Sequence, residues 1–387
     1  MPRLAYIFIV VAAVGAGILG FWYYQSISKI PDTTAGGGDI DFFPFGEEDS
    51  SNPENENLPS AGNTSTTTIE TENISARAVT GFTVYEDTEF GATVRYVERE
   101  TGHIYDVPLL TETKKRISNT TIPKVREVVW IDKDHPIYRY LGQNDEIISF
   151  LGEIRASTTT SENALPEGKL VGEFMEENIS DISVTKTGIF YISRDPVGAA
   201  GFTTDKKGVK VTKIFSSPIV EWTPEIAANG TYLFTKPSGI VEGFLYRLDS
   251  GVLKRIIGDI PGLTVKLNGS GTSGVLSRSS PNSVGLSLFT TNKGEETALN
   301  VSTLPEKCVF PTPEKGRVET VICAVPKNLP RAIYPDSWYQ GLISFDDIIY
   351  EINTQTGELS EIADLSSLFS KPIDAVNLTL AGNRKTL

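Results

Sequence analysis

The chain has 387 residues, 39% hydrophobic and 22% charged, with a formal net charge of −14. Acid excess without a basic stretch excludes a nucleic-acid partner, whose phosphates require a basic footprint. Two Met and two His limit the available chemistry, while 34 Gly and 22 Pro beside plentiful Val, Ile, Thr, Tyr and Phe favour strands and tight turns.

Leu4 to Tyr24 is an uncharged run of 21 residues, long enough at about 1.5 Å per residue to span a bilayer core as one helix. It ends in Trp22, Tyr23 and Tyr24, where an aromatic belt would lie. A cleavable signal peptide is the rival reading, but its apolar region would be shorter and followed by small residues. The expectation is therefore an uncleaved single-pass anchor in the plasma membrane. The charge bias is weak, with Arg3 before the span and Lys29 after it; the preferred orientation puts the N-terminus in the cytoplasm and the rest outside. Residues 30–76 read as a disordered acidic linker, with ten acids and no Lys or Arg between Lys29 and Arg77. Phe42, Phe43 and Phe45 interrupt it. They read either as a docking motif for a partner or as residues that pack near the bilayer or against the domain.

Residues 77–387 carry short alternating apolar runs separated by turn residues, such as Thr93–Glu98, Gly188–Ser193 and Thr231–Thr235. Three turn glycines, Gly208, Gly251 and Gly294, fall 43 residues apart. A second series, at Thr187-Gly188, Asn229-Gly230 and Ser273-Gly274, repeats at 42 and 44 residues. A period of about 43 matches a four-stranded propeller blade. The fold class expected is all-β, a β-propeller of antiparallel blades. Units run through Tyr96 and Tyr105, then from Val125, Ile179, Ile219, Gly262 and Lys307, the last reaching Leu368. Asp374 to Leu387 would add one or two strands, opening a short seventh blade or pairing with the N-terminal strands to close the ring. Seven blades is the first expectation and six the alternative.

At its turns the chain resembles the TolB-like, WD40-like and dipeptidyl-peptidase-IV N-terminal propellers. Their last two strands are linked by an Asp-x-x-Thr-Gly-like turn, similar to Glu98-Arg99-Glu100-Thr101-Gly102, Asp249-Ser250-Gly251 and Asn353-Thr354-Gln355-Thr356-Gly357. Their Ser-Pro-Asp-Gly turn is eroded here to Lys186-Thr187-Gly188 and Ala228-Asn229-Gly230. Leu304–Cys308 and Tyr334–Gly341 are also similar to uncharacterised membrane-anchored bacterial propellers. The resemblance implies a fold and an envelope location, and no activity, since the fold hosts unrelated functions.

No catalytic constellation is legible. His103 and His135 sit in turn sequences without a second ligand at metal spacing. Asn268-Gly269-Ser270-Gly271 lacks the spacing of a nucleophile elbow, and there is no phosphate-binding loop. No cofactor is expected. Carboxylates from separate blades could still meet as a glycosidase pair. The sixth unit is about 20 residues longer than a blade and holds Tyr334, Asp336, Trp338, Tyr339 and Gln340, a candidate binding loop. The same aromatics would otherwise pack the insertion onto its blade. Cys308 and Cys323, at the start of that unit, are expected to form a disulfide; two buried thiols are the other possibility. Asn119, Asn178, Asn229, Asn268, Asn300 and Asn377 match the N-x-Ser/Thr sequon, as do Asn63 and Asn73 in the linker. The expected function is a membrane-anchored, extracytoplasmic binding or scaffold propeller for a protein or glycan partner. The alternative is an envelope hydrolase with carboxylates in its central channel.

Overall fold

The computed structural model describes residues 71–143, 146–155, 168–185, 188–312 and 318–381. The apolar run 4–24, Phe42, Phe43, Phe45 and the residues after Ala381 lie outside them. Among the described residues no helix is long and apolar enough to cross a membrane.

The alternating runs form six four-stranded antiparallel sheets, each a meander in chain order. Blade 1 holds β1 (Val79–Asp87), β2 (Gly91–Glu98), β3 (Ile104–Pro108) and β4 (Lys115–Arg116). Blade 2 holds β5 (Val125–Asp132), β6 (His135–Leu141), β7 (Ile147–Arg155) and β8 (Lys169–Phe174). Blade 3 holds β9 (Ile179–Thr185), β10 (Gly188–Asp195), β11 (Gly198–Asp205) and β12 (Thr212–Ser217). Blade 4 holds β13 (Trp222–Ala227), β14 (Gly230–Thr235), β15 (Glu242–Asp249) and β16 (Val252–Pro261). Blade 5 holds β17 (Val265–Leu267), β18 (Ser273–Ser280), β19 (Ser283–Thr290) and β20 (Glu296–Ala298). Blade 6 holds β21 (Cys308–Val309), β22 (Thr320–Pro326), β23 (Asp347–Asn353) and β24 (Leu359–Asp364). Strands β1, β5, β9, β13 and β17 approach one another in succession, so the first strand of each blade lies at the axis.

The turn series has a direct cause. Gly208, Gly251 and Gly294 occupy third-to-fourth turns with φ of 75°, 84° and 66°, a region that favours glycine. The second strands β10 and β14 are covered on both faces by the neighbouring blades. That is why Ile189-Phe190-Tyr191-Ile192 and Tyr232-Leu233-Phe234 are continuously buried.

Five seams are closed by apolar clusters. Val97 and Ile104 meet Val125 and Tyr138 between blades 1 and 2, and Ile137 meets Ile189 and Tyr191 at the next seam. Phe190 and Phe215 meet Trp222 and Leu233, Tyr232 and Leu245 meet Leu276 and Phe289, and Val275 and Leu286 meet Val321 and Ile352. The sixth seam is different. The outer face of blade 6, through Ile322 and Ile349, packs on Ala375, Leu378 and Leu380. The opposite wall is the free face of blade 1. There Phe82, Val84, Val94 and Tyr96 line a groove of about 420 Å³ that is completed by residues 72–75 and 376–379.

Of the two blade counts expected, the described residues make six. Two expectations are corrected. Residues 374–381 contribute no strand and fill the seam as irregular chain. The Thr101-Gly102 turn joins the second and third strands of blade 1 rather than the last two. A Thr-Gly turn suits any tight reversal that needs a positive φ, here 71° at Gly102, so the motif does not fix its place in the blade.

Cys308 and Cys323 are directly paired across β21 and β22, and they form the expected disulfide. Beside it Lys307 is fully buried. Its ammonium bonds Asp347 Oδ2 at 2.7 Å, the carboxylate of Asp374 and the carbonyl of Ala375 at 2.9 Å. The Ala375 N–H returns to Asp347 Oδ2 at 2.7 Å. This charge network pins the seam-filling segment to blade 6.

Candidate functional site: one end of the axial channel

Up-and-down connectivity places all second-to-third loops, and all connectors between blades, at the same end of the ring. The insertion between β22 and β23, residues 327–346, is the longest of those loops. It contains the short helix α1 (Asp336–Tyr339) and lies over the starts of the inner strands.

Beneath it, inner-strand side chains gather. Glu127 on β5 pairs with Arg139 on β6 at 2.6 Å, and the same guanidinium donates to the carbonyls of Ile179 and Ser180 at 3.0 Å each. Glu225 on β13 pairs with Lys266 on β17 at 3.3 Å and also accepts the Leu267 N–H at 3.2 Å. Those two pairs balance. Asp181 on β9 and Glu306, just before β21, remain as surplus acids. The Asp181 carboxyl accepts the Ile182 N–H at 2.8 Å and bonds Thr223. Glu306 accepts from Thr264 Oγ1 at 3.0 Å and from the Tyr339 phenol.

Removal from bulk water dominates the titration of both acids. It pushes Asp181 up to about 7, with Glu127 adding repulsion and the Ile182 N–H, Arg139 and Thr223 opposing. It also raises Glu306, against the pull of Tyr339, Thr264 and Lys266. The Tyr339 phenol is driven up by burial and by the adjoining Glu306 carboxylate. Lys266 is held charged, chiefly by Glu225. The cluster therefore contains two carboxyls whose charge is only partly compensated, one of them poised near neutrality. Such groups can hold a cation or exchange a proton. Among the described residues, no three His, Cys, Asp or Glu side chains converge as a metal site would require.

The sequence-selected loop is tied into this end of the ring. Tyr334 is fully buried, stacked on Phe345, with its carbonyl accepting from Ser279 Oγ at 2.6 Å. Asp336 caps the loop of blade 4, accepting from Ser238 Oγ at 2.9 Å and from the Gly239 N–H at 2.7 Å. Trp338 is half-buried against Phe345 and donates Nε1–H to Asp374 at 2.9 Å. Gln340 is exposed at the end of α1, and its N–H returns to the Asp336 carbonyl. Tyr339 is 48% exposed and is the member of the set that reaches the channel acids. His135 opens β6 with a side chain only 14% exposed, bonded through Nδ1 to Asp132 at 2.6 Å. It is less exposed than its turn sequence implies. His103 bonds Thr121 Oγ1 at 3.0 Å.

Sequence reading missed Glu127, Arg139, Asp181, Thr223, Glu225, Thr264, Lys266 and Glu306. One signal was available: Asp181, Thr223 and Lys266 are separated by 42 and 43 residues, so they occupy one phase of the repeat and hence one level of the channel.

No family model matches the sequence, nor does any curated protein. Similar solved structures include TolB from Acinetobacter baumannii, at 12% identity and a TM-score of 0.42 over 69% of this chain. This chain spans 62% of that TolB's length. An uncharacterized protein from Listeria monocytogenes aligns at 12% identity and a TM-score of 0.43, over 73% of this chain and 83% of that one. A putative 6-phosphogluconolactonase from Bacteroides uniformis aligns at 14% identity and 0.42, over 72% and 82%. The fold assignment rests on the strand order and pairing of this chain itself.

Proposed function

We propose that the chain is a membrane-anchored, extracytoplasmic binding or scaffold propeller of the cell envelope, anchored through residues 4–24, and that its partner engages the channel end beneath the insertion. A protein partner is favoured over a glycan. The observation that carries this reading is the surplus of acid there: Asp181 and Glu306 stay partly accessible and, among the described residues, lack a dedicated cation. Leaving carboxylates underpaired costs stability, and a ligand that supplies the missing charge recovers that cost.

The test is a photo-crosslinking amino acid placed at Tyr339, with Val252 as control. Val252 is 60% exposed at the start of β16, at the opposite end of the ring. A discrete adduct from Tyr339 alone, in cells of the native host, supports the reading. Equal labelling at both positions, or at neither, overturns it.

One observation favours the hydrolase alternative. Asp181, near 7 and repelled by Glu127, has the character of a general acid–base. Turnover of glycoside or peptide substrates by the full chain, lost in Asp181→Asn, would establish it.

A further inference from the structure

The channel acids are bordered by an exposed apolar surface. Ile240 and Val241, at the tip of the blade 4 loop, are 77% and 58% exposed. Ile333 and Leu342, at the two ends of the turn that carries α1, are 51% and 70% exposed. These residues form one surface. Ile333 Cγ2 would lie 2.9 Å from a Cβ placed on Gly239, so the insertion sits directly against the residue preceding Ile240. Asp336 locks that contact through Ser238 and Gly239. Leu342 is held in the same unit by its N–H, which bonds the Ser337 carbonyl at 2.9 Å, and Ser337 N–H in turn bonds the Ile333 carbonyl at 2.9 Å. Tyr339 stands on the same helix, with its ring half exposed and its phenol on Glu306.

The surface is thus bipartite, with a firmly held apolar rim and an acidic mouth. Isolated exposed apolar residues need no explanation, but a group of them on loops fixed by hydrogen bonds marks an interaction site. A bilayer fits the rim and not the mouth, because surplus carboxylates repel anionic headgroups. A polypeptide fits both parts.

Resting on the binding reading above, the geometry points to a partner segment that seats apolar side chains on Ile240, Val241, Ile333 and Leu342. An adjacent Lys or Arg then enters the channel mouth between Asp181 and Glu306. The apolar contacts supply affinity and the cation supplies register, since an acidic residue at that position would meet like charge. Tyr339 lies at the junction of the two, as an aromatic anchor whose hydroxyl is already committed to the wall.

Unbiased selection tests this chemistry. A random twelve-residue peptide library is panned against the full-length chain, purified in detergent, at neutral pH. Peptides with Lys or Arg next to apolar residues should be enriched. Their affinity should fall at least tenfold for Ile240→Asp and for Leu342→Asp, and severalfold for Glu306→Gln, with Val252→Asp unchanged. Unaltered thermal melting of each variant separates lost contact from lost fold, and Glu306→Gln serves as the gentler change if an apolar position fails to fold. Acidic or purely apolar winners, no enrichment, or equal loss in Val252→Asp would overturn the proposal. So would preferential binding to vesicles of phosphatidylglycerol and phosphatidylcholine. A Tyr339 crosslink obtained while the selection yields no basic peptide would leave the binding reading standing and sink this partner chemistry alone.

Discussion

Lys307→Met is the sharpest test of how the ring is closed. The Lys307 and Asp347 side chains are both 0% exposed, and that of Asp374 is 19% exposed. Methionine matches the volume of lysine but withdraws the cation that, among the described residues, is bonded to both carboxylates. Asp347 is already raised by burial despite Lys307, and its Oδ1 has no partner. Breaking a buried pair in this way costs about 3–5 kcal/mol, because it leaves uncompensated charge behind. With an unfolding entropy of about 2 cal/mol/K per residue, a domain of about 300 residues should lose about 5–8 °C in Tm. Urea unfolding followed by tryptophan fluorescence, without reductant, measures the difference. Adding Asp347→Asn to Lys307→Met should restore part of the loss, since one stranded charge disappears. A loss below about 1 kcal/mol in the single variant, or no recovery in the double, would refute the argument that this network holds the seam.

The other expectations are simpler. Asp181 has a folded pKa raised from 3.8 to about 7, so the folded state binds its proton more tightly than the unfolded chain does. The stability tied to that proton is present below 3.8 and is lost as pH rises to about 7. Asp181→Asn should therefore melt higher than wild type at pH 8 and match it near pH 3; the reverse order would contradict the assignment. Replacing both Cys308 and Cys323 by Ser opens a loop of 15 residues and should cost about 3 kcal/mol in urea unfolding; a midpoint that does not move would show the clamp to be idle. Gly102→Ala places a Cβ 2.4 Å from the Ile122 carbonyl oxygen at a φ of 71°, so a loss of about 2–3 kcal/mol is expected, read from the thermal midpoint.

The repeat was legible because its punctuation is backbone chemistry. Only glycine takes the φ of the third-to-fourth turns without penalty, so Gly208, Gly251 and Gly294 displayed the period openly. Blade starts at Val125 and Ile179 followed from it. The channel was not legible. Strands β5, β9, β13 and β17 contribute one or two polar residues each, with Glu306 just before β21; they are scattered along a chain with 49 acids, and only the ring brings them together. Six blades stood beside seven as an expectation because the chain from Asp374 onward could supply further strands; the described part of it, with Leu378 and Leu380, fills a seam as irregular chain. The length of the insertion was readable, but the fates of its aromatics were not. The insertion gathers Tyr334, Trp338 and Phe345 into a small cluster with Val284 and Leu304, so Tyr334 anchors it and Tyr339 is left at the mouth.

The unequal seams bear on how the domain is assembled. Five of them join blades adjacent in the chain, so each can form from neighbouring sequence with little loop-closure entropy. The sixth must bring residues 72–75 and the free face of blade 1 together with a segment that follows blade 6. The blades can therefore stack like a growing arc, in N-to-C order as the chain is made, while the circle stays open until that last segment arrives. For most of its synthesis the domain carries the apolar wall of Phe82, Val84 and Val94 uncovered. That wall is where a chaperone would have the longest time to act, and where two unfinished arcs would join edge to edge.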